Sequence, residues 1–217
     1  LNKKGLLFID VLPLSLNFSS IRNTKKYENF VKYFWNKTVI DKDFNSIFRL
    51  LEKETNTQLL PAIKKHHNIL GDALSQGQIK SKQWLLSKIK GIDLGTVFIC
   101  AGWYGILATM MFEDKNVYVD KIRSFDIDDS CCNIAEDFNR PWTRDNWKFK
   151  ALTQNILDIN YTEHSWTFWS KKNNRQSYPI IDKPNTIINT SCEHIENFED
   201  WFNLIPKRKL IALQTNN

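Results

Sequence analysis

Two rhythms divide the chain. From about residue 24 to 90, apolar side chains recur at helical spacing: Tyr27, Phe30, Val31, Tyr33, Phe34 and Trp35 lie close to one broad face, and Phe44, Ile47, Phe48 and Leu51 repeat at the same spacing. The segment "QLLPAIKKHHNILGDAL" continues the series, with Pro61 near a first turn or a kink, and "SKQWLLSKIKG" closes it on a Lys-Gly helix terminus. Residues 6–12, "LLFIDVL", read as a short strand ahead of these helices. After Gly91 the rhythm becomes strand, turn, helix. "TVFICA" is a strand and 105–112 starts a helix. "IRSFDID" is a second strand, followed by the helix "DSCCNIAEDFNR", capped by Asp129 or Ser130. "WKFKALTQNI", "NTIINTS" and "KLIALQT" supply three more strands, with the helix "EDWFNLI" before the last.

Alternating β and α units predict an α/β fold. The expectation is a Rossmann-like, mostly parallel sheet with helices on both faces, at residues 91–217. The helical subdomain at 1–90 precedes it as a cap. Between the third and fourth strands lies a connection too long for an ordinary loop, rich in aromatic residues and carrying Lys171, Lys172 and Arg175. Two uses fit it: a lid over a ligand, or a surface that stacks bases and neutralises phosphates.

Charge sharpens that choice. Of 30 Lys and Arg against 24 Asp and Glu, residues 1–90 hold 16 against 7. A basic front half attracts nucleic acid or phosphorylated partners, or it is a set of solvated helix faces. The 4 cysteines show no C-x-x-C pair, which points to a reducing, cytoplasmic setting. Asp10 and Pro13 interrupt the only run that looks like a signal peptide. No stretch of 18 apolar residues occurs, so no membrane partner is expected.

The candidate chemistry gathers at the carboxyl ends of the strands, where α/β sheets bind ligands. Gly102 and Gly105 form a bend between the first strand and its helix. Asp126 ends the second strand 21 positions after Gly105, where a carboxylate accepts hydrogen bonds from ribose hydroxyls. Asn155, near the end of the third strand, offers an amide oxygen to an adenine amino group. Strand, glycines, helix, strand and acid in that order point to an adenosine-containing ligand. His194 beside Glu193, after the fourth strand, is the candidate general base. Adjacent His66 and His67 point apart on a helix, and no metal site is expected.

The runs "VFICAGWYGILA", "FDIDDSCCNIA" and "SCEHIENFEDWF…LIP…KLIALQTNN" resemble the class I S-adenosylmethionine-dependent methyltransferases of the small-molecule type, over roughly residues 80–217. The resemblance implies S-adenosylmethionine as cofactor and a small-molecule acceptor as partner. Ala101, Gly102, Trp103 and Gly105 would then hold the methionine portion, with Ala101 and Trp103 standing where two family glycines fall. Asp126 would hold the ribose and Asn155 the adenine. The loop from Asn189 to His194 would face the methyl group. The family's sixth and seventh strands are missing, so either the chain is cut short or residues 6–12 and the N-terminal helices complete the sheet. The function expected is methyl transfer to a small molecule. The alternatives are methylation of RNA or DNA, and a non-catalytic or NAD-type nucleotide-binding module, since "CAGWYG" is one Cys short of a dinucleotide fingerprint.

Overall fold

The computed structural model describes residue 73, residues 76–170 and residues 173–215. The strand expected at 6–12 and the helices expected between 24 and 72 lie outside the described residues, as does most of the subdomain expected at 1–90.

Among the described residues the first full element is helix α1, Gln76–Ile89. Strand β1, Thr96–Cys100, follows with its last four residues buried. Such a run of β-branched, aromatic and small apolar side chains suits a central strand covered on both faces. Helix α2 (Ile106–Glu113), strand β2 (Lys121–Asp126), helices α3 (Asp129–Phe138) and α4 (Arg140–Arg144) and strand β3 (Phe149–Thr153) complete the first half. The cap of α3 is Asp128, whose side chain accepts from the Ser130 amide, so the expected cap at Asp129 or Ser130 lies one or two residues too late. Past a 3-10 turn at Ile156–Asp158, the long connection holds two small antiparallel hairpins. One pairs β4 (His164–Trp166) with β7 (Ile180–Asp182); the other pairs β5 (Trp169–Ser170) with β6 (Arg175–Gln176). Strand β8 (Thr186–Asn189), helix α5 (Phe198–Asn203) and strand β9 (Leu210–Leu213) end the described chain.

Among the described residues the main sheet has five strands, all parallel, in the order β3-β2-β1-β8-β9. This is the α/β, Rossmann-like fold expected of the alternating pattern. One face carries α1, α2 and α3: Ile79, Leu86 and Ile89 pack with Val97, Ile99, Ile122, Leu107 and Ala135 in one core. The opposite face is covered by α5 and the long connection, where Trp201 and Tyr161 close over Phe98, Phe125 and Ile187.

The connection is pinned to that second face by Arg123, which is 1% exposed. Its Nε lies 2.6 Å from Asp182 Oδ2, which also accepts from Trp166 Nε1 at 2.7 Å. The expectation of a lid over the ligand is therefore corrected. Among the described residues, none of the hairpins lines the cleft described below, because a buried ion pair holds them against the sheet.

Candidate functional site

Strand order reverses between β1 and β8, and the ends of such strands splay to leave a crevice. A cleft of about 340 Å³ opens there. Its floor is the turn after β1. The backbone of that turn places Ala101, Trp103 and Gly105 in the left-handed region, with φ of 51°, 47° and 70°. Glycine adopts this conformation freely; for Ala and Trp it costs about 1 kcal/mol each. The turn thus keeps a glycine-type backbone at two positions that carry side chains. Trp103 and Tyr104 both line the cleft and stack on each other at 4.4 Å, with their inner edges on the core. They line the pocket and pack against the core at once.

The two glycines serve packing within the fold. A Cβ on Gly102 would stand 1.9 Å from Ser124 Oγ, so the turn could not sit over β2. A Cβ on Gly105 would meet Asn139 Nδ2 at 2.7 Å and Ala135 Cβ at 2.9 Å. Asn139, fully buried, donates from Nδ2 to the carbonyls of Gly105 and Ala135 and accepts from Thr109 Oγ1, tying the turn to α2 and α3. Gly102 lines the cleft; Gly105 does not.

Asp126, at the carboxyl end of β2, lines the cleft. Its Oδ2 accepts from the Trp103 amide at 2.8 Å and its Oδ1 from the Asp128 amide at 3.1 Å. Each oxygen keeps a lone pair, so the carboxylate is fixed in direction and still accepts from a ligand's hydroxyls. The turn's own amides are largely engaged: Gly102 donates to the Phe125 carbonyl, Trp103 to Asp126, and Gly105 to the Gly102 carbonyl.

On the far wall, Thr190, Ser191 and His194 follow β8. His194 is exposed at the rim, with Nε2 3.7 Å from Glu193 Oε1; Glu193 itself does not line the cleft. Asn189 is fully buried beneath this loop, and its Oδ1 accepts from the Ser191 amide at 2.9 Å. Its Nδ2 has no partner, an orphaned donor at the end of the strand. Asn155 stands apart: its Oδ1 accepts from the Leu157 amide and caps the 3-10 turn, and it does not line the cleft. The expected adenine contact is thereby placed outside the cleft lining, in a local cap.

The residues brought together are thus Ala101, Gly102, Trp103, Asp126 and His194. Two contributors were missed, Gln78 and Lys82 of α1. The sequence did hold a signal: Ile79, Lys82, Leu86 and Ile89 follow each other at helical spacing, so Lys82 occupies a position in an otherwise apolar stripe. Burial pulls its ammonium down to about 8. Nucleophilic thiol chemistry finds no support, since burial pushes Cys100 and Cys131 up to about 12 and raises Cys132 and Cys192.

No family model and no curated protein matches the chain. Solved structures do, and several of them are described as methyltransferases. One is such a methyltransferase from Agrobacterium tumefaciens, 10% identical over 66% of this chain and 45% of that one, with a TM-score of 0.41. A second is the magnesium protoporphyrin IX methyltransferase of Synechocystis PCC 6803 with bound SAM, 14% identical over 85% of this chain and 79% of that one, TM-score 0.33. A third is coclaurine N-methyltransferase bound to N-methylheliamine and SAH, 12% identical over 97% of this chain and 63% of that one, TM-score 0.41. The chain spans about half the length of the bacterial and archaeal structures it resembles. At these identities and TM-scores the likeness carries no argument about function, and what the cleft binds is argued from its own groups.

Proposed function

We propose that the cleft binds S-adenosylmethionine and that the chain transfers its methyl group to a small molecule. The observation that carries this reading is Asp126. A carboxylate held by two backbone N–H groups at the end of β2, beside the switch point, suits a ribose diol. The donor set of the cleft fits the rest of the cofactor: the stacked faces of Trp103 and Tyr104 suit a sulfonium or a base. The orphaned Asn189 amide lies beside the loop that would face the reacting end.

The bound cofactor supplies an electrophilic methyl group. The chain's part is alignment for an in-line displacement, with the Thr190–His194 loop facing the acceptor and α1 opposite it. Where the acceptor must lose a proton, the imidazole of His194 takes it, with Glu193 alongside to steady the charge that forms. The four unpaired cysteines agree with the cytoplasm as the setting. Among the described residues, no helix is long and apolar enough to cross a membrane.

A dinucleotide is the weaker reading. Three amides of the turn are already paired, and side chains stand at Ala101 and Trp103, where a pyrophosphate would need bare backbone. A nucleic-acid acceptor gains nothing from the aromatic hairpins, which lie against the other face of the sheet.

Calorimetric titration with SAM, S-adenosylhomocysteine and NAD tests the reading. Binding of both sulfur compounds is expected, with none for NAD. Asp126→Ala should weaken it roughly tenfold to a hundredfold, the worth of hydrogen bonds to a charged acceptor. NAD binding in their place would overturn the proposal.

A further inference from the structure

Lys82 is an anomaly in the wall of the cleft. It is 9% exposed and takes a stripe position between Ile79 and Leu86, where an apolar residue would pack without penalty. Its Nζ donates to Gln78 Oε1 at 2.6 Å, with the Gln78 carbonyl at 3.5 Å. Both acceptors are neutral and both belong to one residue a helical turn away. No carboxylate among the described residues forms an ion pair with it. The other titratable groups that line the cleft are Asp126, Tyr104 and His194. Asp126 is committed to the amides of Trp103 and Asp128.

A buried ammonium without a counter-charge is costly, and none of the described residues supplies Lys82 with one. The penalty is offset when an anion enters the cleft beside it. A carboxylate fits that need: it accepts from the donors that Gln78 leaves free, and the cavity admits an organic acid between Lys82 and the Trp103–Tyr104 stack.

We infer that Lys82, oriented by Gln78, anchors a carboxylate of the ligand that occupies this cleft. Two sources supply that chemistry, the amino-acid end of the cofactor and an acidic acceptor. The first rests on the cofactor reading above; the second stands without it.

The test compares the wild-type chain with Lys82→Met and Lys82→Arg by calorimetry. S-adenosylhomocysteine is titrated beside 5′-methylthioadenosine, which lacks the carboxylate. Benzoate is titrated beside benzyl alcohol, with and without S-adenosylhomocysteine present. If the carboxylate is the cofactor's, Lys82→Met weakens S-adenosylhomocysteine at least tenfold and 5′-methylthioadenosine less than twofold. Lys82→Arg, which keeps the cation, recovers most of the loss. If it is the acceptor's, the same pattern falls on benzoate against benzyl alcohol. Equal effects on the charged and neutral members of both pairs, or no effect on either, overturn the inference. Failure of the wild type to bind S-adenosylhomocysteine removes the cofactor reading alone, and the benzoate pair in the cofactor-free protein still decides Lys82. Circular dichroism melts confirm that each variant is folded before it is titrated.

Discussion

Two cations are buried among the described residues, and they are treated in opposite ways. Arg123, under the hairpins, is matched by a carboxylate and by backbone carbonyls. Asp182 faces its Nε, the carbonyls of Ile122 and Trp147 accept from Nη1, and Trp166 lies 5.1 Å away beneath the guanidinium. Lys121 adds a second cation 3.5 Å from the other Asp182 oxygen. Lys82, in the cleft, has among the described residues the neutral oxygens of Gln78. A planar fork with several fixed donors suits a closed structural network, whereas a lysine is a point charge that can wait for a partner. The difference separates a cation that holds the fold together from one left open to a ligand.

Breaking the closed pair should give the largest effect. Asp182→Ala leaves Arg123 charged and buried, and the expected loss is about 3–5 kcal/mol of stability, read from urea unfolding. Burial alone would raise the Asp182 carboxyl, but the hydrogen bonds from Arg123 and Trp166 and the nearby positive charges hold it below the ordinary value of 3.8. A carboxyl depressed in the folded state contributes stability above its unfolded value, and that contribution is lost as pH falls through the folded one. The wild-type advantage over Asp182→Ala should therefore be complete near neutrality and shrink below pH 4. An advantage that persists unchanged in acid would show that the pair is not ionic in origin.

The open cation should behave the other way round. Lys82→Met is expected to raise stability by about 1–3 kcal/mol at pH 7, since it removes a desolvated charge and keeps the volume. The lysine's folded value is about 8, below its unfolded 10.5. The unfolded chain thus binds more protons between those two values, and wild-type stability gains with pH across that window. The variant's lead should be full below pH 8 and gone by pH 10.5. A wild type more stable than Lys82→Met at pH 7 would mean that the ammonium is satisfied in the free protein.

The smallest effect concerns the cleft's backbone. Ala101→Gly relieves a left-handed alanine and adds freedom to the unfolded chain, so a net gain of about 0.5 kcal/mol is expected. A loss of 1 kcal/mol or more would show that the Ala101 methyl group contributes packing that outweighs its strain.

Much of this arrangement was legible along the chain. "TVFIC" and "TIIN" are apolar and β-branched because both faces of a central parallel strand are covered, and Asp126 followed from its place at the end of the second such run. His194 and the turn at Ala101–Trp103 reach the cleft because strand ends converge there. Gly105 and Asn155 read as ligand contacts only because glycine and asparagine serve turns, caps and ligands with the same letters. Tertiary packing against Asn139 and Ala135 claims the first, and a local cap claims the second. The pull of Asp182 on Arg123 crosses 59 positions, which no window of sequence displays.

The sequence by itself determined the order of the main sheet's strands along the chain, the α/β class and the acid at the end of β2, because these depend on local periodicity and on connections between neighbours. Only the tertiary structure decided which face the long connection covers, that α1 lends Lys82 and Gln78 to the cleft, and that Ala101 and Trp103 hold a glycine's conformation. Those outcomes depend on groups far apart in the chain competing for the same space and charge, and such competition is settled only when the sheet has closed its core.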